Sequence, residues 1–180
     1  MKTKMFKSLV LWAVVILISG CNIMGWKQYA SVEGGFSVQL PGEPEGQKII
    51  LDTQVGRTYL NMYTLNRKDD NFIYAVGYVD YPDELFNLKS VDQILNDGRD
   101  GAARNVQGVL TKESNISIEG YPGREFTIEV GNGEAVVKGK LFLVGQRVYQ
   151  LMVTTDKKWS DSYNIKRFLD SFQLIKSKTR

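Results

Sequence analysis

A two-residue alternation of apolar and polar side chains recurs along the chain and most constrains what it can fold into. This period places successive side chains on opposite faces of a β-strand. Phe36, Val38 and Leu40 show it before the turn-forming residues 41–44. The same reading predicts eight strands, at 36–40, 48–53, 58–67, 72–81, 109–118, 124–130, 135–144 and 147–155.

Short turn sequences join several of these strands and predict antiparallel pairing between sequence neighbours. Residues 68–71 form a four-residue hairpin loop, and 119–123 form a second loop that contains a proline and two glycines. The turns at 131–133 and 145–146 contain glycine and asparagine, which accept positive φ angles. Most of the strands therefore belong to one antiparallel sheet.

One long helix is predicted between the fourth and fifth strands. Ser90 opens it, and Gln93 three residues later completes a capping box. Its apolar stripe includes Gly98, which lets a helix lie close to a sheet. The pattern predicts that the helix ends near Gln107, with Gly108 as its C-terminal glycine.

A second helix is predicted at 161–172, capped by Ser160 or Asp161. The strand at 72–79 is apolar on both faces, which favours covering layers on both sides of the sheet. The sequence therefore predicts an α+β fold, with a central, mostly antiparallel β-sheet flanked by helices on both faces.

The N-terminus has the features of a bacterial lipoprotein signal peptide. Three lysines precede an apolar run, and Ile18-Ser19-Gly20-Cys21 fits the lipobox, whose cysteine is acylated after cleavage. The alternative is a transmembrane anchor, but the run 6–18 has 13 residues, fewer than the roughly 20 that span a bilayer. We predict lipid attachment at Cys21.

The predicted organisation is therefore a cleaved segment at 1–20, a lipidated cysteine and tether at 21–28, one domain at 29–175 and a basic tail at 176–180. Cleavage removes three of the 23 basic residues and none of the 20 acidic ones, which leaves 20 of each. A balanced charge gives no long-range attraction to nucleic acid. We expect membrane attachment through the lipid and no nucleic-acid partner.

The residues missing from the chain narrow its chemistry. Its one cysteine is the predicted lipid site, so no disulfide is expected. It has no histidine, which removes the usual general base and the usual zinc ligand. The acidic loops, such as the one at 69–70, lack the calcium-loop spacing. We predict no cofactor, no metal site and no catalytic residue.

One face of the predicted hairpin 58–81 is rich in tyrosine. If Arg67 lies opposite Phe72, four tyrosines share that face, namely Tyr59, Tyr63, Tyr74 and Tyr78. The other face then has ordinary core residues, namely Leu60, Met62, Ile73, Ala75 and Val79. The tyrosines form either an aromatic groove for a partner or apolar ligand, or a second core layer beneath a helix.

Arg124 is a further candidate for binding. It follows a compact turn set by one proline and two glycines. Its guanidinium could meet an acidic partner, or pair within the domain with Glu125 or Glu113.

These landmarks resemble the PsbP/DcrB-like superfamily of small extracytoplasmic proteins, many of them lipoproteins. The resemblance rests on the segments 36–42, 120–125, 143–151 and 167–172. It implies a PsbP-like α/β/α sandwich and roles as accessory or assembly factors rather than enzymes. Metal sites proposed in some relatives use histidine, so none is transferred to this chain.

The expected function is that of a membrane-anchored, non-catalytic binding module of the cell envelope, facing the periplasm or the cell exterior. Its expected partner is an envelope or membrane protein. Two alternatives remain: a carrier of an apolar small molecule on the tyrosine face, and an enzyme that works without histidine.

Overall fold

The computed structural model describes residues 25–175, which form ten strands and three helices. The strands are β1 (Lys27–Ser31), β2 (Phe36–Leu40), β3 (Glu45–Thr53), β4 (Gly56–Arg67), β5 (Phe72–Asp80), β6 (Val109–Ile118), β7 (Tyr121–Val130), β8 (Ala135–Val144), β9 (Arg147–Asp156) and β10 (Gln173–Leu174). The helices are α1 (Asp83–Leu88), α2 (Val91–Asn105) and α3 (Tyr163–Asp170). Cys21, the predicted signal peptide and the tail 176–180 lie outside the described residues.

Seven strands form one antiparallel sheet in the order β3-β4-β5-β9-β8-β7-β6. Two runs of sequential hairpins, β3–β5 and β6–β9, meet where β5 pairs with β9. The helices α1 and α2 lie in the connection between the two runs. A second, three-stranded antiparallel sheet has the order β1-β2-β10. The predicted mostly antiparallel α+β class is confirmed.

The bounds of most strands follow the alternation pattern. Arg67 lies opposite Phe72, as predicted. The strand β7 starts at Tyr121, before the predicted residue 124, because the preceding turn needs only Glu119 and Gly120. Both turn residues have positive φ angles, 48° and 87°, so the chain reverses there within two residues.

Three short elements carry no clear periodic signal and were not predicted. The strand β1 includes Lys27 and Gln28, which belong to the predicted tether 21–28. It exists because it pairs with β2 along its whole length. The helix α1 has six residues and β10 has two, too few to establish a periodic pattern.

The capping box of α2 is present, since the Ser90 hydroxyl accepts from the Gln93 amide at 3.3 Å and the Ser90 amide donates to the Gln93 side chain at 2.8 Å. The predicted C-terminus is wrong by two residues. Gln107, with φ of 51°, makes the left-handed turn instead of Gly108. Gly108 is instead needed for close packing against β7, because a Cβ atom there would lie 2.4 Å from a methyl carbon of Ile128.

The helix α3 begins later and ends earlier than predicted. Its cap is Ser162, whose hydroxyl accepts from the amide of Asn164 at 3.3 Å, rather than Ser160 or Asp161.

Two apolar clusters lie on opposite faces of the large sheet. Phe142 of β8 belongs to one cluster, and its neighbours Leu141 and Leu143 belong to the other. The first cluster joins the sheet to β2 and α3, and the second joins it to α1 and α2. A Cβ atom at Gly98 would lie 3.1 Å from Leu141, so α2 sits close to the sheet as predicted. No helix within residues 25–175 has the length and apolar character needed to cross a bilayer.

Candidate functional site

The tyrosine face is largely covered. Tyr74 and Tyr78 are each 1 % exposed, and Tyr63 is half-buried. Tyr59, at 43 % exposed, is the most exposed of the four. Of the two alternatives, the second core layer therefore describes Tyr74 and Tyr78, and the open groove does not. The cover consists of β1, β2 and α3, so a small sheet contributes to it as well as a helix.

Phe36 of β2 is the centre of this layer and is fully buried. Its ring centroid lies 5.8–6.4 Å from those of five other aromatic residues, namely Tyr29, Tyr63, Tyr78, Tyr149 and Phe172. Aromatic rings at such separations attract one another beyond their burial. The layer is a packed aromatic core that holds the small sheet against the large one.

Arg147 fixes the turn between β1 and β2 at the edge of this layer. Its guanidinium donates to both carboxylate oxygens of Asp80, at 2.6 and 2.7 Å, and to the carbonyl of Gly34 at 2.7 Å. It also lies 4.3 Å from the ring centroid of Tyr78. The hydrogen bonds to Asp80 raise the pKa of Arg147, so the cross-link stays charged. These contacts are structural, because they join the chain to itself.

The hydroxyls of Tyr78 and Tyr149 have different surroundings. Tyr149 donates to the Gly34 carbonyl at 2.7 Å. The Tyr78 hydroxyl is buried without a hydrogen-bond partner among the described residues. Burial, reinforced by the carboxylate of Glu33, raises the pKa of Tyr78 to about 12. Tyr78 is therefore neutral at physiological pH.

This contrast gives a test of the aromatic layer. Tyr78→Phe should raise the free energy of unfolding by about 1 kcal/mol, because it removes an unsatisfied buried hydroxyl. Tyr149→Phe should lower it by about 1 kcal/mol, because it removes a made hydrogen bond. Urea unfolding at pH 7 measures both. A loss of stability in Tyr78→Phe equal to that in Tyr149→Phe would contradict the assignment.

Arg124 does not present its guanidinium to solvent. The residue is 7 % exposed. Its side chain contacts Asp92 of α2 at 2.6 Å and Glu113 of β6 at 3.2 Å. Glu113 also accepts from Arg99 at 2.5 Å. The predicted internal pairing with Glu113 is confirmed, and the alternative of a guanidinium offered to an acidic partner is wrong. Arg124 instead ties α2 to the sheet.

The opposite face of β3–β5 also has exposed apolar side chains. We define the open sheet face by side chains that share this side of the sheet, namely Ile49, Leu60, Met62, Ile73 and Ala75. Ile49 is 37 % exposed and Ile73 is 39 % exposed. Four of the five are predicted core residues, and this prediction is wrong for Ile73. The helix α2 packs over β7 and β8 instead of over β4 and β5.

A cleft of about 360 Å³ separates the tip of the β3–β4 hairpin from α1 and α2. Thr53 lies on the hairpin side, and Tyr81 and Leu85 lie on the other side. Two of its charged residues pair with each other, since the Lys89 ammonium lies 2.6 Å from Asp97. Within residues 25–175 no group of three or more possible metal ligands occurs. The cleft borders the open sheet face.

Comparison with solved structures identifies the fold. PsbP (CyanoP) from Synechocystis sp. PCC 6803 aligns with a TM-score of 0.57 and 13 % identity, over 86 % of this chain and 95 % of that chain. The chain has a PsbP-like fold. A protein of unknown function from Pseudomonas aeruginosa, PA94, aligns over 86 % of this chain and 99 % of its own, with 12 % identity and a TM-score of 0.32. No protein-family model and no curated protein matches the chain.

In this PsbP-like domain the exposure of the open sheet face was not predicted from the sequence. The apolar side chains of this face recur at the same two-residue spacing as those of the covered face. The alternation pattern therefore cannot distinguish the exposed face from the covered one. The signal that could have indicated it is the edge position of β3, where Ile49 and Ile50 are adjacent apolar residues. Adjacent residues of a strand point to opposite faces, so one edge strand offers apolar side chains on both sides.

Proposed function

We propose that the protein is a lipid-anchored accessory module of a bacterial cell envelope, which binds another envelope protein through the open sheet face and catalyses no reaction. The observation that carries the proposal is the half-uncovered apolar surface around Ile49 and Ile73. Exposed apolar side chains on one face of a sheet can form an interaction site. Leu60 and Ala75 lie between them and are half-buried, and Met62 between these two is buried.

The proposed anchor is Cys21, acylated after removal of residues 1–20. The first strand of the domain begins at Lys27. Six residue steps of extended chain reach about 20 Å, so the domain would remain close to the membrane surface. A single acyl chain holds a protein reversibly, and two or more hold it firmly. The module would thus meet its partner beside the membrane, facing the periplasm or the cell exterior.

The proposal extends to the architecture. We propose the full PsbP-like α/β/α sandwich, with helices on both faces of the sheet. The contacts that support it are those of α2 with β7 and β8 on one face, and those of α3 with β8 and β9 on the other. The sandwich leaves β3–β5 beyond the reach of α2, which accounts for the open sheet face.

A photo-crosslinking amino acid at position 73 tests the proposed surface in intact cells. We expect one reproducible crosslinked protein, because the side chain points out of the open sheet face. The matched position is Tyr163 on α3, 73 % exposed, which should not give that product. Adding Ile49→Lys should reduce the product about tenfold, since it places a charge in an apolar contact.

Two outcomes would contradict the proposal. One is the absence of any crosslinked protein at position 73, and the other is the same set of products at positions 73 and 163. Cys21→Ser tests the anchor separately. It should move the protein from the membrane fraction to the soluble fraction and lower the yield of crosslink.

A further inference from the structure

The edge strand β3 lacks two of the features that protect sheet edges, a bulge and a proline. It has nine residues, pairs with β4 without any shift of register, and contains no proline. Within residues 25–175 no strand pairs with its other side. The opposite edge, β6, has a register shift between Leu110 and Lys112. Such irregularities block edge-to-edge pairing, whereas a long regular edge invites it.

The exposed side chains of β3 are arranged symmetrically about Ile50. Ile50 is 55 % exposed, and Ile49 and Leu51 flank it on the other face. Lys48 and Asp52 lie two residues to either side of Ile50 and share its face. Both charged residues are exposed, although within the chain Asp52 contacts Arg57 at 3.2 Å and the Lys48 ammonium lies 4.5 Å from the ring centroid of Tyr59. One face of the strand therefore has a positive, an apolar and a negative side chain in succession, namely Lys48, Ile50 and Asp52.

We propose that β3 pairs in antiparallel fashion with β3 of a second copy of this chain, with Ile50 opposite Ile50 on the two-fold axis. In this register Lys48 of each copy lies directly opposite Asp52 of the other. On the opposite face Ile49 meets Leu51 of the second copy. Residues directly opposite in an antiparallel pair have Cβ atoms about 5 Å apart, within reach of an ion pair.

The charges select this register over its neighbours. Moving the axis to Ile49 places Lys48 opposite Ile50 and loses both ion pairs. Moving it to Lys48 places the two lysines opposite each other, which is repulsive. Sliding one β3 strand past the other by one residue, instead of two, is also unfavourable. It places residues whose backbone N–H and C=O groups point towards β4 opposite residues whose groups point to the free edge. The register centred on Ile50 is thus the one in which both charges and both apolar contacts are matched.

The pair would form a continuous sheet of 14 strands, seven from each copy. Its two-fold axis is perpendicular to the sheet, so the two open sheet faces lie on the same side. The proposal does not depend on the envelope partner, because the contact needs only this chain.

A charge exchange tests the proposed pair in the full chain purified in a mild detergent. Lys48→Asp places two carboxylates opposite each other at both ends of the contact, and Asp52→Lys places two ammonium groups there. Each should weaken dimerisation about tenfold or more. The double variant K48D/D52K restores opposite charges and should return the dissociation constant to within about threefold of the original. Sedimentation velocity measures the constants.

The matched control is Lys112→Asp on the β6 edge, which should leave dimerisation unchanged. Circular dichroism of each variant shows whether it is folded. A second readout uses Ile50→Cys in a chain with Cys21→Ser, in which mild oxidation should give a disulfide-linked dimer. That product does not depend on the charge variants.

Three results would overturn the proposal: a chain that is monomeric at about 100 µM, a dimer that survives both single variants, and a double variant that does not recover. A crosslinker at position 50 that captures a different protein in cells, with a monomeric purified chain, would assign the edge to that protein. Failure of the dimer leaves the crosslink at position 73 unaffected, so the two proposals can fail separately.

Discussion

Phe36→Ala should lower the free energy of unfolding by about 4 kcal/mol, which is within the range measured when a buried phenylalanine is replaced by alanine. Phe36 is fully buried and lies close to five aromatic rings, four from β1, β4, β5 and β9 and the fifth from Phe172 between α3 and β10. Its removal leaves a cavity between the two sheets. Because domains are stable by only about 5–15 kcal/mol, this one change removes a large share of the total.

The same variant tests what the small sheet does. With Phe36 absent, β2 loses its main contact with Tyr78 and Tyr149, and we expect the aromatic layer to open and bind a hydrophobic dye. Urea unfolding and dye fluorescence measure the two effects. Val32→Ala in the adjacent turn, at 88 % exposed, should change stability by less than about 0.5 kcal/mol. A loss below about 1 kcal/mol for Phe36→Ala would show that the layer is not the main contact between the sheets.

The central hairpins could be predicted because their signals are local. Alternation and turn residues define β6 and β8 to the residue, and the loop 68–71 sets the pairing of Arg67 with Phe72. The capping box at Ser90 is likewise contained in four residues. Such features depend on backbone chemistry that neighbours in sequence determine.

The candidate surfaces could not be predicted because covering is a long-range property. Both faces of β5 alternate apolar residues, but Tyr74 is covered by α3, about ninety residues later in the chain, and Ile73 is not covered. Arg124 similarly finds Asp92, which is 32 residues away. Periodicity indicates that a side chain is suited to burial. It does not identify the element that buries it.

Alkaline pH should destabilise the domain steeply between pH 10 and 12. Burial is the main cause that raises the pKa of Tyr74 and of Tyr78 from 10.0 to about 12. Above pH 10 the unfolded chain therefore releases these two protons while the folded domain retains them. Stability is fully present below pH 10 and falls as pH rises through 12. Each phenol contributes a slope of about 1.4 kcal/mol per pH unit in that window.

Tyr74→Phe removes one of these two phenols and should make the decline shallower by about 1.4 kcal/mol per pH unit. The double variant Y74F/Y78F should remove the contribution of both. Any other group that titrates in this range is common to all the chains compared and cancels in the difference. Urea unfolding at half-unit steps of pH measures the slopes, and absorbance at about 295 nm follows phenolate formation in the folded protein. Equal slopes in the original chain and in Tyr74→Phe would mean that the aromatic layer admits water. That result would favour the tyrosine groove over the second core layer.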